Sequence, residues 1–559
     1  MIFDCSTPTM PRPLWIACLH LACFLAACGN TPAAGGQVLP SSTPGGVTPE
    51  PSPSPFQPTA RTATPGPIRL WLSPALPDAL RHPVQALVLA DASLLFTESE
   101  SQADVRVEPR ADTPIASWIF VAASPFPNLS DAILMEDLAN LWTQGSGSQG
   151  HLYLTERTAA SLGAVLGLPA MGAASLVEED ALLERAWSDR PSVALLPFER
   201  LEPRWKVLEI DGISPIRKDF DATRYPLMVS YGLSGEAWAV AEIRARLLWP
   251  ASNRDAERMT VLAMSGVTAL TRGTAWLMDK EGVNYPAELI GDWLREADLA
   301  HVSNEVSFTD RCPDPDPFQA SIRFCSRPEH FALLDAVGVD LVELTGNHLM
   351  DYGAQALLDT IAYYRERDWQ VFGGGEDLER AMSPALVEHH GNRFAFLGCN
   401  VVGPDYDWAG PSSPGAAPCD KARLFGEVQR WSQQGYQTIF TYQWAESNSV
   451  SPLPNQAEAF RQAIDAGAVI VSGSQAHRPQ SFEFYGDGFI HYGLGNLFFD
   501  QIWSEPTRQG FIDRHVFYEG RHIASELLTT YLVDYAQPRP MTVEEREALL
   551  GEVFRASGW

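Results

Sequence analysis

The sequence predicts an α/β protein of two consecutive domains. Short apolar runs of strand length alternate with amphipathic stretches from about residue 68 onward. Polar residues gather where those runs end, most densely in residues 344–353, LTGNHLMDYG. A chain of 559 residues is also long enough for more than one core.

Composition narrows the function. The formal net charge is -29 with 45% apolar residues, a globular composition with no basic excess to displace the counterions of a nucleic acid. The same charge disfavours docking of the protein body on an anionic membrane. An anionic ligand needs a bound cation or a local basic patch to overcome that field.

The amino terminus carries a leader. Residues 14–27 are apolar, follow Arg12 and are too short to span a bilayer with ease, as in a secretory signal. The run ends Leu25-Ala26-Ala27-Cys28-Gly29, which resembles a bacterial lipoprotein lipobox. The resemblance implies a signal peptide over 1–28, lipidation of Cys28 and an extracytoplasmic protein anchored to the cell membrane. The alternative is a simple cleaved signal. Residues 29–67 are Pro, Thr, Ser and Gly almost throughout and are expected to form a disordered tether.

Residues 68–249 follow an α/β rhythm. Strands are expected at 68–72, 118–122 and 193–196, and helices at 135–142, 159–166 and 178–187. Residues 192–215, followed by Tyr225-Pro226-Leu227, are similar to the second lobe of a periplasmic solute-binding protein. That implies a ligand cleft of unspecified chemistry; a docking domain without ligand is the alternative. Residues 236–247 read as a helical bridge to a second domain, 255–537. Residues 538–559 hold an acidic amphipathic helix expected to pack on the outside.

The second domain concentrates its polar residues at strand ends. Residues 328–337 read as a helix with Ser326 as N-cap and Glu329 closing a capping box; Gly338 stops it and residues 339–344 (VDLVEL) form a strand. Asn347, His348 and Asp351 then fall at a strand's carboxyl end, where α/β sheets place chemistry. A polar turn is the bland reading. Further apolar runs at 260–264, 300–303, 438–442, 469–472 and 489–492 lead into SGVT, Asn304-Glu305, Gln443-Trp444-Ala445-Glu446, GSQAH ending at His477, and GLGN ending at Asn496. Polar groups from separate strand ends converging on one face can build a single site.

These blocks, in this order over about residues 259–500, resemble the CapA family of capsule and poly-γ-glutamate synthesis. The resemblance implies a four-layer αββα metallophosphoesterase-like sandwich, preceded here by the smaller solute-binding-like domain, with a divalent metal at the strand ends. It implies Glu305, Asn347, His348 and His477 as metal ligands, and His348, Asp351 and Glu446 as acid, base or orienting groups. Asn304, Gln443, Ser474, Arg478 and Asn496 would line the substrate. It further implies action on an anionic surface polymer or its precursors, beside capsule-synthesis or export proteins. The sequence departs from the pattern at three positions. Val267 follows Gly266 where an Asp ligand is usual, Ser474 replaces a His, and Gln443 replaces another. One ion is therefore expected rather than two, or none. The competing reading is a non-catalytic polymer- or solute-binding lipoprotein with a degenerate metal site.

Two further features stand out. Cys312 and Cys325, and Cys399 and Cys419, are local pairs. In an exported protein each is expected to close a disulfide contributing about 3 kcal/mol; the alternative is four buried thiols. Arg311, Arg323, Arg327 and Arg478 lie near the motif loops and could supply the basic patch.

Overall fold

The computed structural model describes residues 66–559 apart from Ser146, Ser148 and Gln149. The expected signal peptide, Cys28 and nearly all of the expected tether lie outside the described residues.

The first domain is built on a nine-stranded mixed sheet. Ile68–Leu72, Thr113–Pro125 and Ser192–Pro197 contain the three runs expected as strands. Thr113–Pro125 pairs with Met228–Gly235 along one part of its length and with Ser192–Pro197 along the other, so one strand joins both halves of the sheet. Its Trp118, Phe120 and Val121 are buried, as expected for a strand covered on both faces. Helix Glu156–Leu166 starts where Thr155 Oγ1 accepts a hydrogen bond from the Thr158 amide at 3.1 Å. A cavity of about 870 Å³ opens at the carboxyl ends of Ile68–Leu72 and Ser192–Pro197, lined by Thr155, Arg157, Glu199 and Arg200 among others. Both arginines are already paired, Arg157 with Asp78 and Arg200 with Glu179.

Two sheets stack face to face in the second domain. The first contains, side by side, Gln370–Phe372, Leu341–Glu343, Leu299–Asn304, Met259–Thr268, Gln509–Tyr518, Arg521–Leu532 and Pro538–Pro540. The second runs Ala385–His389, Asn392–Asn400, Gln437–Gln443, Ala468–Ser474, Gly488–His491 and Phe482–Tyr485. Leu262, Met264 and Leu341 of one meet Phe394, Phe396, Ile439 and Ile470 of the other in a shared core. Alternate residues such as Ala263 and Val302 face the opposite way, onto Met278, Leu357 and Ile361 of two helices. Beyond the second sheet, Phe440 and Val471 pack on Leu424, Val428 and Phe460 of two more. The order helix, sheet, sheet, helix follows. Each fully buried Leu or Phe contributes about 1.5–3 kcal/mol to this arrangement.

The carboxyl-terminal helix Val543–Ala556 keeps its acidic face exposed and buries its apolar one. Its Thr542–Glu545 capping box is present, and Leu549, Leu550, Val553 and Phe554 join the core between the sheets, beside Phe126 of the first domain. One expectation is corrected: residues 328–337 start as a 3-10 turn without the Ser326 cap. Ser326 is held in an extended bridge opposite Phe308, its amide donating to Ser307 O at 2.9 Å, so its hydroxyl never reaches the helix.

The two domains share a core. Met259, Val261, Val516 and Tyr518 belong to the apolar cluster of the first sheet. Arg217 pairs with Glu526 at 3.1 Å, and Asp131 bridges buried Lys206 at 3.0 Å to Arg546 of the terminal helix at 2.6 Å.

Candidate functional site

The carboxyl ends of the two sheets meet. Register places Asn400, Gln443 and Ser474 side by side on three parallel strands of the second sheet. Glu305 follows the last residue of Leu299–Asn304 in the first sheet, and the 344–353 loop folds over it. Gly346 permits that approach, because a Cβ there would sit 2.6 Å from the Glu305 Cα. Gln475 (φ 79°) and His477 (φ 53°) hold left-handed backbone, a costly state for such residues and one concentrated at functional sites.

Gln443 is the hub. Its Nε2 donates to Glu305 Oε1 at 2.9 Å, faces Asn347 Oδ1 at 3.1 Å and also bonds Gln475 Oε1, while its Oε1 accepts from the Ser474 hydroxyl. An amide nitrogen carries only two protons, so three oxygens crowd one donor. Glu305 Oε2 is buried without a partner.

His348 stands on the solvent side of this hub. Its Nδ1 lies 2.8 Å from Asp351 Oδ2, which also accepts from the Phe324 amide at 2.7 Å; the Tyr406 hydroxyl donates to Asp351 Oδ1 at 3.3 Å. Asp351 thus fixes the ring and leaves Nε2 free. Burial pulls the His348 pKa down, but the Asp351 hydrogen bond and the charges of Glu305, Asp351 and Asp407 outweigh it, and the net shift is upward. Asp407 accepts from the Met350 amide at 2.6 Å and is pushed up to about 7, first by burial and then by Asp351 and Glu305. His477 is held separately, Nδ1 to Asn496 Oδ1 at 2.9 Å, while Asn496 Nδ2 donates to Thr507 O at 3.1 Å.

The structure therefore brings Glu305, Asn347, Gln443 and Ser474 into one cluster, sets His348 and Asp351 beside it, and pairs His477 with Asn496. It does not bring in the other three. Glu446 is exposed, and no hydrogen bond among the described residues ties it to the cluster. Arg478 is buried and turned to Asn448 O at 2.8 Å and Glu552 at 2.9 Å. Asn304 is spent on Val306 O at 2.6 Å and the Tyr364 hydroxyl at 2.8 Å. Sequence reading missed Gln475, Tyr406 and Asp407. The last two lie in the loop after Asn392–Asn400, a strand end whose apolar run (FAFLG) was legible.

The expected metal ligand set is not assembled. Among the described residues no group of three or more His, Cys, Asp or Glu side chains is placed to hold a metal ion. Val267 instead joins Ala269, Val306, Phe324 and Phe499 in an apolar cluster. The His348 ring packs on Phe324 (centroids 4.4 Å apart) and His477 on Phe499 (5.4 Å). The Arg272 guanidinium lies over the same two phenylalanines, at 4.6 and 5.2 Å, and pairs with Asp500. Amides, apolar rings and a fixed cation do not fit an imidazole–carboxylate metal centre.

The rim is more basic. Arg311 donates to Tyr352 O at 2.6 Å and Arg323 to Asp351 O at 3.1 Å; among the described residues neither is paired with a carboxylate. Arg327, by contrast, is neutralised by Asp279, Asp314 and Glu329. The Cys312–Cys325 disulfide closes the loop that carries Arg323, and Cys399–Cys419 is also formed.

The layers and the strand-end site define a four-layer αββα sandwich, preceded by a smaller α/β domain on a mixed sheet. Residues 261–501 match the family model of the bacterial capsule synthesis protein PGA_cap. This domain is similar to the CapA proteins of capsule and poly-γ-glutamate biosynthesis. It is 24% identical over 306 residues to the capsule biosynthesis protein CapA of Bacillus anthracis, covering 54% of this chain and 73% of that protein. It is 25% identical over 196 residues to the PGA biosynthesis protein CapA of Bacillus subtilis, covering 35% of this chain and 52% of the relative. A phosphate transport receptor from Vibrio cholerae is similar at 12% identity and a TM-score of 0.25, over 30% of this chain and 85% of its own. No helix among the described residues is long and apolar enough to cross a membrane.

Proposed function

We propose that the chain serves in the biosynthesis of a capsule or polyglutamate-type surface polymer, held outside the cell by lipid on Cys28. In this reading the strand-end site acts on the polymer or its precursor as a hydrolase or transferase. The observation that carries it is the His348–Asp351 pair, an oriented imidazole with a free Nε2 at the mouth of a polar, strained site. His348 would take the proton of the attacking water or hydroxyl and return it to the leaving group. Arg311 and Arg323 would hold the anionic chain, and Tyr406, 60% exposed, would line its path.

The test is incubation of the purified full chain with poly-γ-glutamate, following polymer length and binding together. Shortened or transferred polymer, lost in His348→Ala while binding persists, supports the proposal. Unchanged polymer, still bound and released by Arg311→Ala with Arg323→Ala, favours the second reading: a polymer-binding protein. The closure of the site's centre by Gln443 gives that alternative its own support.

A further inference from the structure

We infer that this chain has replaced the divalent ion of its strand-end site with two of its own side chains, the Gln443 amide and the Arg272 guanidinium, and that the site assembles without metal. Oxygens from several strand ends converging on one point are the arrangement that binds a hard cation. Here Glu305 Oε1, Asn347 Oδ1 and Gln475 Oε1 converge, yet the point is filled by Gln443 Nε2. A carboxylate oxygen can only accept, so the nitrogen end of the amide must face Glu305. Ser474, itself standing where a ligand was expected, occupies the amide's other end.

The second replacement lies on the apolar side. Arg272 holds left-handed backbone (φ 45°), and its guanidinium is clamped over Phe324 and Phe499, the rings that carry His348 and His477. A fixed positive charge one ring away from each histidine opposes a metal ion there. Val267, among apolar neighbours, adds no ligand. The inference concerns the same site as the proposed function, but it stands or falls on metal content, whatever polymer the site takes.

The experiment is metal analysis and thermal melting of the full-length protein, after chelation and after loading with Mn²⁺, Zn²⁺, Mg²⁺ or Ca²⁺. The wild type is expected to hold well under one equivalent at this site and to melt at the same temperature throughout. Gln443→Leu, which keeps the volume and removes the donor, is expected to lower melting by about 2 °C or more in metal-free buffer. The double variant Val267→Asp, Gln443→His is expected to gain metal with a melting shift that chelator reverses. Near-stoichiometric metal in the wild type, abolished by Glu305→Gln, would overturn the inference; so would a Gln443→Leu protein that melts like wild type. Should the double variant fail to fold, these two measurements decide.

Discussion

The side-chain amide of Gln443 reaches 2.9 Å to the carboxylate of Glu305 and so ties the carboxyl end of one sheet to that of the other. Glu305→Leu should therefore destabilise the protein by about 1–3 kcal/mol, the cost of leaving a buried donor set unpaired. Glu305→Gln, which can still accept, should lose about 1 kcal/mol or less by the same reasoning. Urea titration of the three proteins would show whether that ranking holds; equal midpoints would mean that the link contributes nothing.

His348 should titrate above an ordinary histidine because Asp351 holds its Nδ1. Folding thus binds that proton more tightly. Its contribution to stability is complete below the unfolded value of 6.5 and is lost as pH rises through the raised folded value. In Asp351→Asn the imidazole resonance followed by NMR should titrate at lower pH. A titration curve that does not move would remove Asp351 from its orienting role.

The opposite sign is expected for two histidines on the paired strands Gln509–Tyr518 and Arg521–Leu532. Burial holds the His515 pKa well below 6.5 and lowers that of His522 to about 3. The unfolded chain then binds more protons, so stability contributed by these residues is present above 6.5 and declines as pH falls toward the folded values. Melting temperatures from pH 7 to 4.5 should fall less steeply in His522→Gln than in the wild type.

Lys206 is buried, and desolvation lowers its pKa despite Asp131 at 3.0 Å. Asp131→Ala leaves buried Lys206 with only the Asn128 carbonyl and removes the carboxylate partner of Arg546 as well, and should lower stability. Arg546→Ala leaves Lys206 paired and should cost less. The comparison needs only denaturation midpoints, and a milder Asp131→Ala would contradict it.

Opening the loop at Cys312–Cys325 by substituting both cysteines with serine should cost about 2–4 kcal/mol. It should also weaken polymer binding, because the same loop carries Arg323. Binding by the variant at a temperature where it remains folded separates the two effects.

Much of the fold was legible because strands covered on both faces read as plain apolar runs. Ile68–Leu72 matched its run at both ends, and Leu299–Asn304 extended its run by one residue each way. Positions were legible in the site; partners were not. Gln443 and Ser474 stood out as departures, but that one caps the other's amide depends on neighbouring strand register, which no linear pattern specifies. Arg478 was misjudged because its guanidinium answers to Glu552, 74 positions further along the chain. The terminal helix was legible as amphipathic, but the partners of its apolar face, Phe126, Phe482 and Trp559, were not.

That helix has a consequence for how the molecule comes apart. Because Phe554 packs on Phe126 and Arg546 holds Asp131, the final turns of the chain fasten the first domain to the second. Calorimetry should record one endotherm for both rather than two in sequence. Protease nicking within residues 541–559 should loosen a sheet that lies about four hundred residues upstream.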